Sequence, residues 1–288
     1  ALAWAATRAM RFTSRRTLHR TLRWPKSTLP ADMSALTFYA KASADFEAKL
    51  AETKAVLLSA AQTFSPLTQA SSLGAEDMVI THLLGEVGIA CSVFVLDTGM
   101  LHAQTLALIG RIEARYARTV LVFRPQPQAA SAFVSTHGGK AMYQSVDLRK
   151  QCCGIRKMEP LGRALAGHKG WLTGLRREQS NARADVDFVE HELVGQPGER
   201  AKINPLARWT AGDVWHFIAL HSIPYNPLHD EFFPSIGCAP CTRAVTLGED
   251  IRSGRWWWEQ ESAKECGLHV AGEATAISSI IPIQEIAA

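Results

Sequence analysis

The chain has 288 residues, of which 47% are hydrophobic and 20% charged; that is enough apolar matter for a substantial core and excludes a disordered chain. Six cysteines in this length do not make a disulfide scaffold, and their spacing points to metal or redox use in a reducing compartment, the cytoplasm. The net charge of +4 is carried by residues 1–32, which hold seven basic residues and one acid; the rest has 24 basic and 26 acidic residues, no footprint for nucleic acid, and no apolar run near the roughly 20 residues a membrane span needs.

Residues 1–32 are rich in Arg, Ser and Thr and nearly free of acids, as transit peptides are. The alternative, translated upstream sequence, is favoured because Met33-Ser34 opens a more ordinary protein. Either way the segment is expected to be disordered and outside the fold. Residues 38–62 read as an amphipathic helix with apolar positions at Phe46, Leu50, Val56, Leu57 and Leu58. A strand-like stretch follows, ending in Ser71-Ser72-Leu73-Gly74-Ala75-Glu76-Asp77, and then a helix through Leu84. Cys91–Leu96 is a short β-branched run stopped by Asp97-Thr98-Gly99, with Cys91 itself expected in the core. A helix from His102 to about Arg115 and a strand over Thr119–Phe123 come next. Alternating strands and helices imply βαβ units and a parallel sheet flanked by helices, an α/β fold. Trp171–Gly174 looks like a further strand edge. Thr210 is the expected N-cap of a helix over Val214–His221. From about Pro234 periodic signals fade, and a loop-rich lid or arm is expected. The expected division is an extension over 1–32, a body over 33–249 and an arm over 250–288.

Three features carry chemistry. The turn Ser71–Asp77 lies between an apolar stretch and a helix, so its small residues and the free N–H groups of the helix start suit an anion. Ordinary turn and cap duty explains it equally well. In an open parallel sheet such a site lies beyond the carboxyl ends of the strands, where Asp97-Thr98-Gly99 would border it. The second feature is the pair of couples Cys152-Cys153 and Cys238-Ala-Pro-Cys241. Four thiolates suit zinc or an iron–sulfur centre. Adjacent ligands depart from the usual spacing of zinc sites and require the backbone to strain, which a larger cubane tolerates better. Lys157 would offset their charge. The third feature is Cys266, with Lys264 and His269 nearby, surroundings that favour a nucleophilic thiolate; an inconsequential surface cysteine is the plain alternative. Arg176, Arg177, Arg183, Arg252 and Arg255 recur around these sites, and arginine forks match phosphate and sulfate oxygens. Trp256-Trp257-Trp258 cannot all face one way, so one is expected to pack as an anchor while another faces outward.

Together Ser72-Leu-Gly-Ala-Glu-Asp77, Leu96-Asp-Thr-Gly99, Cys152-Cys153-x-x-Arg156-Lys157, Trp171-Leu-Thr-Gly-Leu-Arg-Arg-Glu-Gln-Ser180, Ser235-Ile-Gly-Cys-Ala-Pro-Cys-Thr-Arg243, Gly254-Arg-Trp-Trp-Trp-Glu259 and Lys264-Glu-Cys-Gly-Leu-His269 resemble bacterial assimilatory adenylyl-sulfate (APS) reductases, over about residues 40–270. The resemblance implies an adenine-nucleotide hydrolase-like fold related to PP-loop enzymes, and a [4Fe-4S] cluster held by Cys152, Cys153, Cys238 and Cys241. It implies that Cys266 is the nucleophile in the reduction of APS to sulfite and AMP, with thioredoxin or a similar small dithiol protein as electron donor, in sulfate assimilation toward cysteine. Lys157, Arg252, Arg255 and His269 match the family's anion-binding positions. Ser72, Gly74, Asp77, Leu96 and Arg176 fall where it holds the nucleotide. An arm around residues 250–270 is expected to close on substrate and open for the donor.

Other readings compete. A 3′-phosphoadenylyl-sulfate (PAPS) reductase keeps the terminal cysteine but usually lacks the paired ones, and a dual enzyme would accept both substrates. A zinc-stabilised nucleotide- or RNA-binding module is disfavoured by the near-neutral body and by Cys266. A tRNA sulfurtransferase of the PP-loop type would keep a Ser-Gly-Gly-x-Asp-Ser loop, which this chain lacks. The oligomeric state, a homo-oligomer included, stays open.

Overall fold

Alternation within the strands decides which helices each face of the sheet receives. The structure, a computed structural model, describes residues 34–246 and 248–260. The expectations for residues 1–32 and for Cys266 and His269 lie outside the described residues. Six strands form one sheet in the order β3-β2-β1-β4-β6-β5. They are β1 (Leu67–Ser71), β2 (Ser92–Leu96), β3 (Val120–Phe123), β4 (Gly170–Leu172), β5 (Val189–Glu192) and β6 (Arg200–Ile203). All neighbours pair in parallel except the edge strand β5, which runs antiparallel to β6.

The helices are α1 (Ala35–Tyr39), α2 (Phe46–Thr63), α3 (Ala75–Glu86), α4 (Ala103–Tyr116), α5 (Pro127–His137), α6 (Val146–Cys153), α7 (Glu159–Leu165) and α8 (Ala211–Leu220). Leu67, Val95, Leu172 and Ile203 face one side of the sheet, with Phe46, Leu57, Leu83, Leu108, Ile112, Val214 and Phe217 packed over them. The residues between them in sequence, Ala70, Phe94 and Trp171, turn to the other side and meet Leu161 and Leu165 of α7. This period-two alternation, with helices on both faces, makes the sheet the middle layer of an α/β fold. Gln69, fully buried in β1, donates from Nε2 to the Asp77 carbonyl and accepts from Thr81 Oγ1, so α3 is bolted to the strand that precedes it.

The expected elements β1, α3, β2, α4 and β3 form within a residue or two of their expected bounds. Thr210 caps α8 as expected: its Oγ1 accepts the Asp213 N–H, and Asp213 Oδ2 accepts the Thr210 N–H. Two points are corrected. The single helix over 38–62 is two helices, because the Lys41 N–H donates to the Gly212 carbonyl and the Ser43 N–H to Asp213 Oδ1, which holds residues between α1 and α2 in a non-helical path. Leu58 is 46% exposed, while Phe46 and Leu57 are buried. The strand expected to end at Trp171–Gly174 is β4, and it lies between β1 and β6, inside the sheet. The helices α5 to α7 and strands β5 and β6 were not anticipated. Beyond Pro234 the described residues form only a 3₁₀ turn at Ala239–Cys241 and two isolated bridges, Leu101–Cys238 and Thr242–Arg255. Among the described residues no helix is long and apolar enough to cross a membrane.

Candidate active site

β1 has β2 on one side and β4 on the other, so chain order reverses between β1 and β4. Ligands of open α/β sheets settle at such a switch point, beyond the carboxyl ends of the strands. A cleft of about 240 Å³ opens there. Its floor is the turn from β1 to α3. Leu73 takes a left-handed conformation (φ 63°) although it is not glycine, a strain held in place by complete burial of its side chain. Gly74, the N-cap of α3, makes no side-chain hydrogen bond to the first-turn N–H groups, and the positive end of a helix suits an anion. Gly174, just past β4, is required by close approach: a Cβ there would lie 2.7 Å from Asp77 Oδ1 and 2.8 Å from Glu76 Cβ.

The carboxylates of this turn are spoken for. Asp77 Oδ2 accepts both the Ser72 N–H (2.6 Å) and the Ser72 hydroxyl (2.7 Å). Burial nevertheless pushes the Asp77 carboxyl up to about 6, against those hydrogen bonds. Glu76 is opposed by burial too, but the Arg176 guanidinium and Gln179 hold it below the ordinary range. Arg176 donates from Nε to Glu76 (2.9 Å) and from Nη1 to Glu178 (3.0 Å) and the Trp209 carbonyl. Its charge is largely neutralised within the protein, so its position in the cleft is that of a brace.

The four paired cysteines converge on a second, small cavity beside the cleft, with Met100, Met142, Arg149, Arg156 and Lys157. Cys152 and Cys153 end α6. The backbone strain expected for adjacent ligands is absent at Cys153, which is ordinary helix (φ −66°, ψ −37°). A π-helical turn, Gly154–Met158, follows at once. From it Arg156 donates to the Thr98 carbonyl at 2.7 Å, and Lys157 reaches the boundary where it lines both cavities. Cys238 and Cys241 flank the 3₁₀ turn, and Thr98 Oγ1 lies 3.2 Å from Cys238 Sγ. All four thiols are free of disulfides. Burial, and then Cys238, push the Cys241 thiol up to about 11; burial raises Cys152 as well.

Of the expected site residues, Ser72, Gly74, Asp77, Leu96, Lys157, Arg176, Arg252 and Arg255 all line the one cleft. Trp256 is buried beside the cysteines while Trp257 is 40% exposed, as three consecutive tryptophans require. Cys91 is half-buried against the core and its thiol is pushed up to about 12 by burial, far from reactive.

The sequence profile of the phosphoadenosine phosphosulfate reductase domain matches residues 66–244, more than half of the chain and all six strands. This chain belongs to the phosphoadenosine phosphosulfate reductase family. A protein of Burkholderia cepacia named adenosine 5′-phosphosulfate reductase is 47% identical over 226 residues, 78% of this chain and 89% of its own. Proteins of the same name from Allochromatium vinosum (50% over 200 residues, 69% of this chain and 77% of its own) and Neisseria meningitidis serogroup A (51% over 201 residues, 69% and 81%) are similar to it as well. Among solved structures, a phosphoadenylyl-sulfate reductase of Candida auris in a phosphate complex shares the fold, with a TM-score of 0.57 and 27% identity over 71% of this chain and 98% of that one.

In this family member Thr98 borders the cleft as expected and also touches the cysteine site, while Glu76, Gln179 and Arg149 shape the site without an expected role. Thr98 contacts Cys238, Glu76 and Gln179 brace Arg176, and Arg149 lines the cysteine cavity. Arg149 stands three residues before Cys152, on the same helix face, a signal visible only once α6 is recognised as a helix.

The Asp77 shift has a testable sign. Its carboxyl is raised in the folded state, so between the unfolded value of 3.8 and about 6 the folded protein holds the extra proton. Stability therefore falls as pH rises through that window, by up to about 3 kcal/mol. Urea unfolding from pH 4 to 8 should show this decline in the wild type and a flatter profile in Asp77→Asn; equal profiles would refute the assignment.

Proposed function

We propose that the chain reduces adenosine 5′-phosphosulfate to sulfite and AMP, through an S-sulfocysteine on Cys266, with a small dithiol protein such as thioredoxin as donor. The observation that supports this best is the joint lining of one cleft: a nucleotide-sized switch-point crevice whose anion-suited helix start shares its lining with Lys157, Arg252 and Arg255, beside a site of four cysteines in no disulfide. The relatives' names supply the substrate class.

The residues fit a [4Fe-4S] cluster. Four thiols border one cavity, cationic Arg149, Arg156 and Lys157 stand at it, and the Trp256 Nε1, buried in the same cluster of residues, has no partner among the described ones. Among the described residues no three Cys, His, Asp or Glu side chains are grouped as they are around a single metal ion. Cys152, Cys153, Cys238 and Cys241 would hold the cluster. When bound it would supply a fixed charged anchor that ties α6 to the Cys238–Cys241 turn and sets the field at Lys157.

The protein's own residues then do the following. The Ser72–Gly74 turn takes the phosphate, and Leu96 and the Gly174 loop flank the nucleoside. Lys157, Arg252 and Arg255, with His269, neutralise the sulfate and phosphate, without which an anionic thiolate could not approach an anionic sulfate. The Cys266 thiolate attacks sulfur; the S–O bond to phosphate breaks, and AMP leaves with the electron pair. A donor thiolate attacks Cys266 Sγ, sulfite leaves with its electron pair, and the donor's second thiol resolves the mixed disulfide. The net change is two electrons from the dithiol. The reaction belongs to sulfate assimilation, and we place the enzyme in the cytoplasm, where such donors stay reduced.

The test is direct. Protein incubated with ³⁵S-labelled APS and no reductant should retain label covalently on a peptide containing Cys266, and added thioredoxin should release it as sulfite. No retained label overturns the reading. A substrate bearing a 3′-phosphate is the second reading, favoured by the Candida auris neighbour's name; faster labelling by PAPS than by APS would select it.

A further inference from the structure

Arg149 and Glu259 form the most enclosed ion pair among the described residues, with side chains 1% and 3% exposed. It is bidentate: Nε donates to Oε1 at 3.0 Å and Nη2 to Oε2 at 2.7 Å. The partners stand 110 residues apart. Arg149 belongs to α6, one turn before Cys152, and lines the cysteine cavity. Glu259 lies seven residues before Cys266. Between them, Trp256 is held by two cations: the Arg149 and Arg255 guanidiniums each lie 4.7 Å from its ring. Arg255 lines the cleft and stacks so closely on Gly237 that a Cβ there would meet its Nη2 at 2.5 Å. The sequence Arg149–Trp256–Arg255 is therefore a continuous stack from the cysteine site to the cleft wall, and Glu259 closes it.

Withdrawing two charges from water costs several kcal/mol each, and a well-packed apolar pair would stabilise the fold as well or better. What a bidentate pair adds is register: only one geometry satisfies both forks, so only one residue of the tail can sit there. We propose that the Arg149–Glu259 pair is the fixed root of the segment that carries Cys266, and that Glu259 acts as a positioning residue for sulfur attack. This rests on the function proposed above. On this view residues 250–260 belong to the wall of the cleft, which Ile251, Arg252, Arg255 and Trp256 line. Seven residues span at most about 25 Å when extended, so a root beside the cleft wall limits where the thiol can be. Attack requires near-contact geometry, and misplacement by about 1 Å can slow such a step 10²-fold.

The test compares the cluster-loaded wild type with Glu259→Gln, which keeps the size but removes the charge and replaces one of the two accepting oxygens with an NH2 donor. Three quantities are read: the single-turnover rate of label transfer from saturating ³⁵S-APS, the Kd for AMP, and the rate of tryptic cleavage after Arg255. Transfer should slow at least tenfold in the variant and cleavage after the now loosened Arg255 should quicken at least tenfold, while AMP affinity and visible absorbance stay within twofold. Transfer at the wild-type rate overturns the proposal. So does a loss of AMP affinity or absorbance as large as the loss of rate, because that marks a general structural role. Should Glu259→Gln fail to fold, Glu259→Asp keeps the charge and withdraws the carboxylate by one methylene; the same criteria decide, with a smaller slowing of about threefold or more. If the wild type itself retains no label, the proposed reaction fails, and the cleavage rate still reports whether the pair fixes the root.

Discussion

Replacing Cys266 by Ser should lower sulfite release by on the order of 10⁴-fold or more. In the proposed reaction Cys266, with Lys264 and His269 close by in sequence, would supply the thiolate, whereas a serine hydroxyl stays protonated and is no nucleophile toward sulfur. The loss should fall on the chemical step alone. The described lining of the cleft comes from the ends of β1, β2 and β4, the π turn and residues 229–256, so AMP should bind the variant as it binds the wild type. The visible absorbance of the proposed cluster should persist, since its four holders are Cys152, Cys153, Cys238 and Cys241. Label from ³⁵S-APS should no longer stay on the chain. A variant that still released sulfite at the wild-type rate would remove the proposed intermediate, and one that lost colour together with activity would make Cys266 a structural residue.

The second large effect concerns the four-thiol site. Cys241→Ser should reduce bound iron from about four per chain to well below that, with loss of visible absorbance and a fall in activity of about 10²-fold or more. Burial, and then Cys238, push the Cys241 thiol up to about 11, so without a metal centre that thiol is protonated, and binding a cluster displaces its proton. Four thiolates from α6 and the Ala239–Cys241 turn then staple elements 85 or more residues apart in sequence. The staple and Lys157, which borders both cavities, are lost together. Cys91→Ser provides the control: Cys91 packs against the main core, away from either cavity, and this substitution should leave iron content unchanged. A colourless wild type with stoichiometric zinc, or full iron retention in Cys241→Ser, would refute the assignment.

Both effects depend on residues whose chemistry is local. Cysteine couples, a Ser-Leu-Gly turn opening a helix and a lone thiol between Lys264 and His269 are legible because each feature is formed by neighbours in the chain. The strands β1, β2 and β3 were likewise legible, because the short apolar runs that form them are bounded by turn residues. The break between α1 and α2 was not, since nothing in residues 40–45 forbids a helix. The bonds that open it come from Gly212 and Asp213, some 170 residues later. Nor was the place of β4 inside the sheet, because a three-residue strand carries no period and its neighbours are set by the whole topology.

The same division runs through the site. The cleft residues that stand in the motifs, Ser72, Gly74, Asp77, Leu96, Lys157, Arg176, Arg252 and Arg255, were legible from sequence alone, since each motif is formed by neighbours in the chain. Their electrical state was not. Arg176 is a brace and no free cation because Glu76, Glu178 and Trp209 close around it, and Asp77 is raised because packing removes its water. The Arg149–Glu259 pair shows the limit most plainly: each residue alone reads as an ordinary surface charge, and only the fold, by burying both at one point, makes them partners. Desolvation and contacts between distant segments are properties of the packed chain, so they are decided by tertiary structure and by nothing shorter.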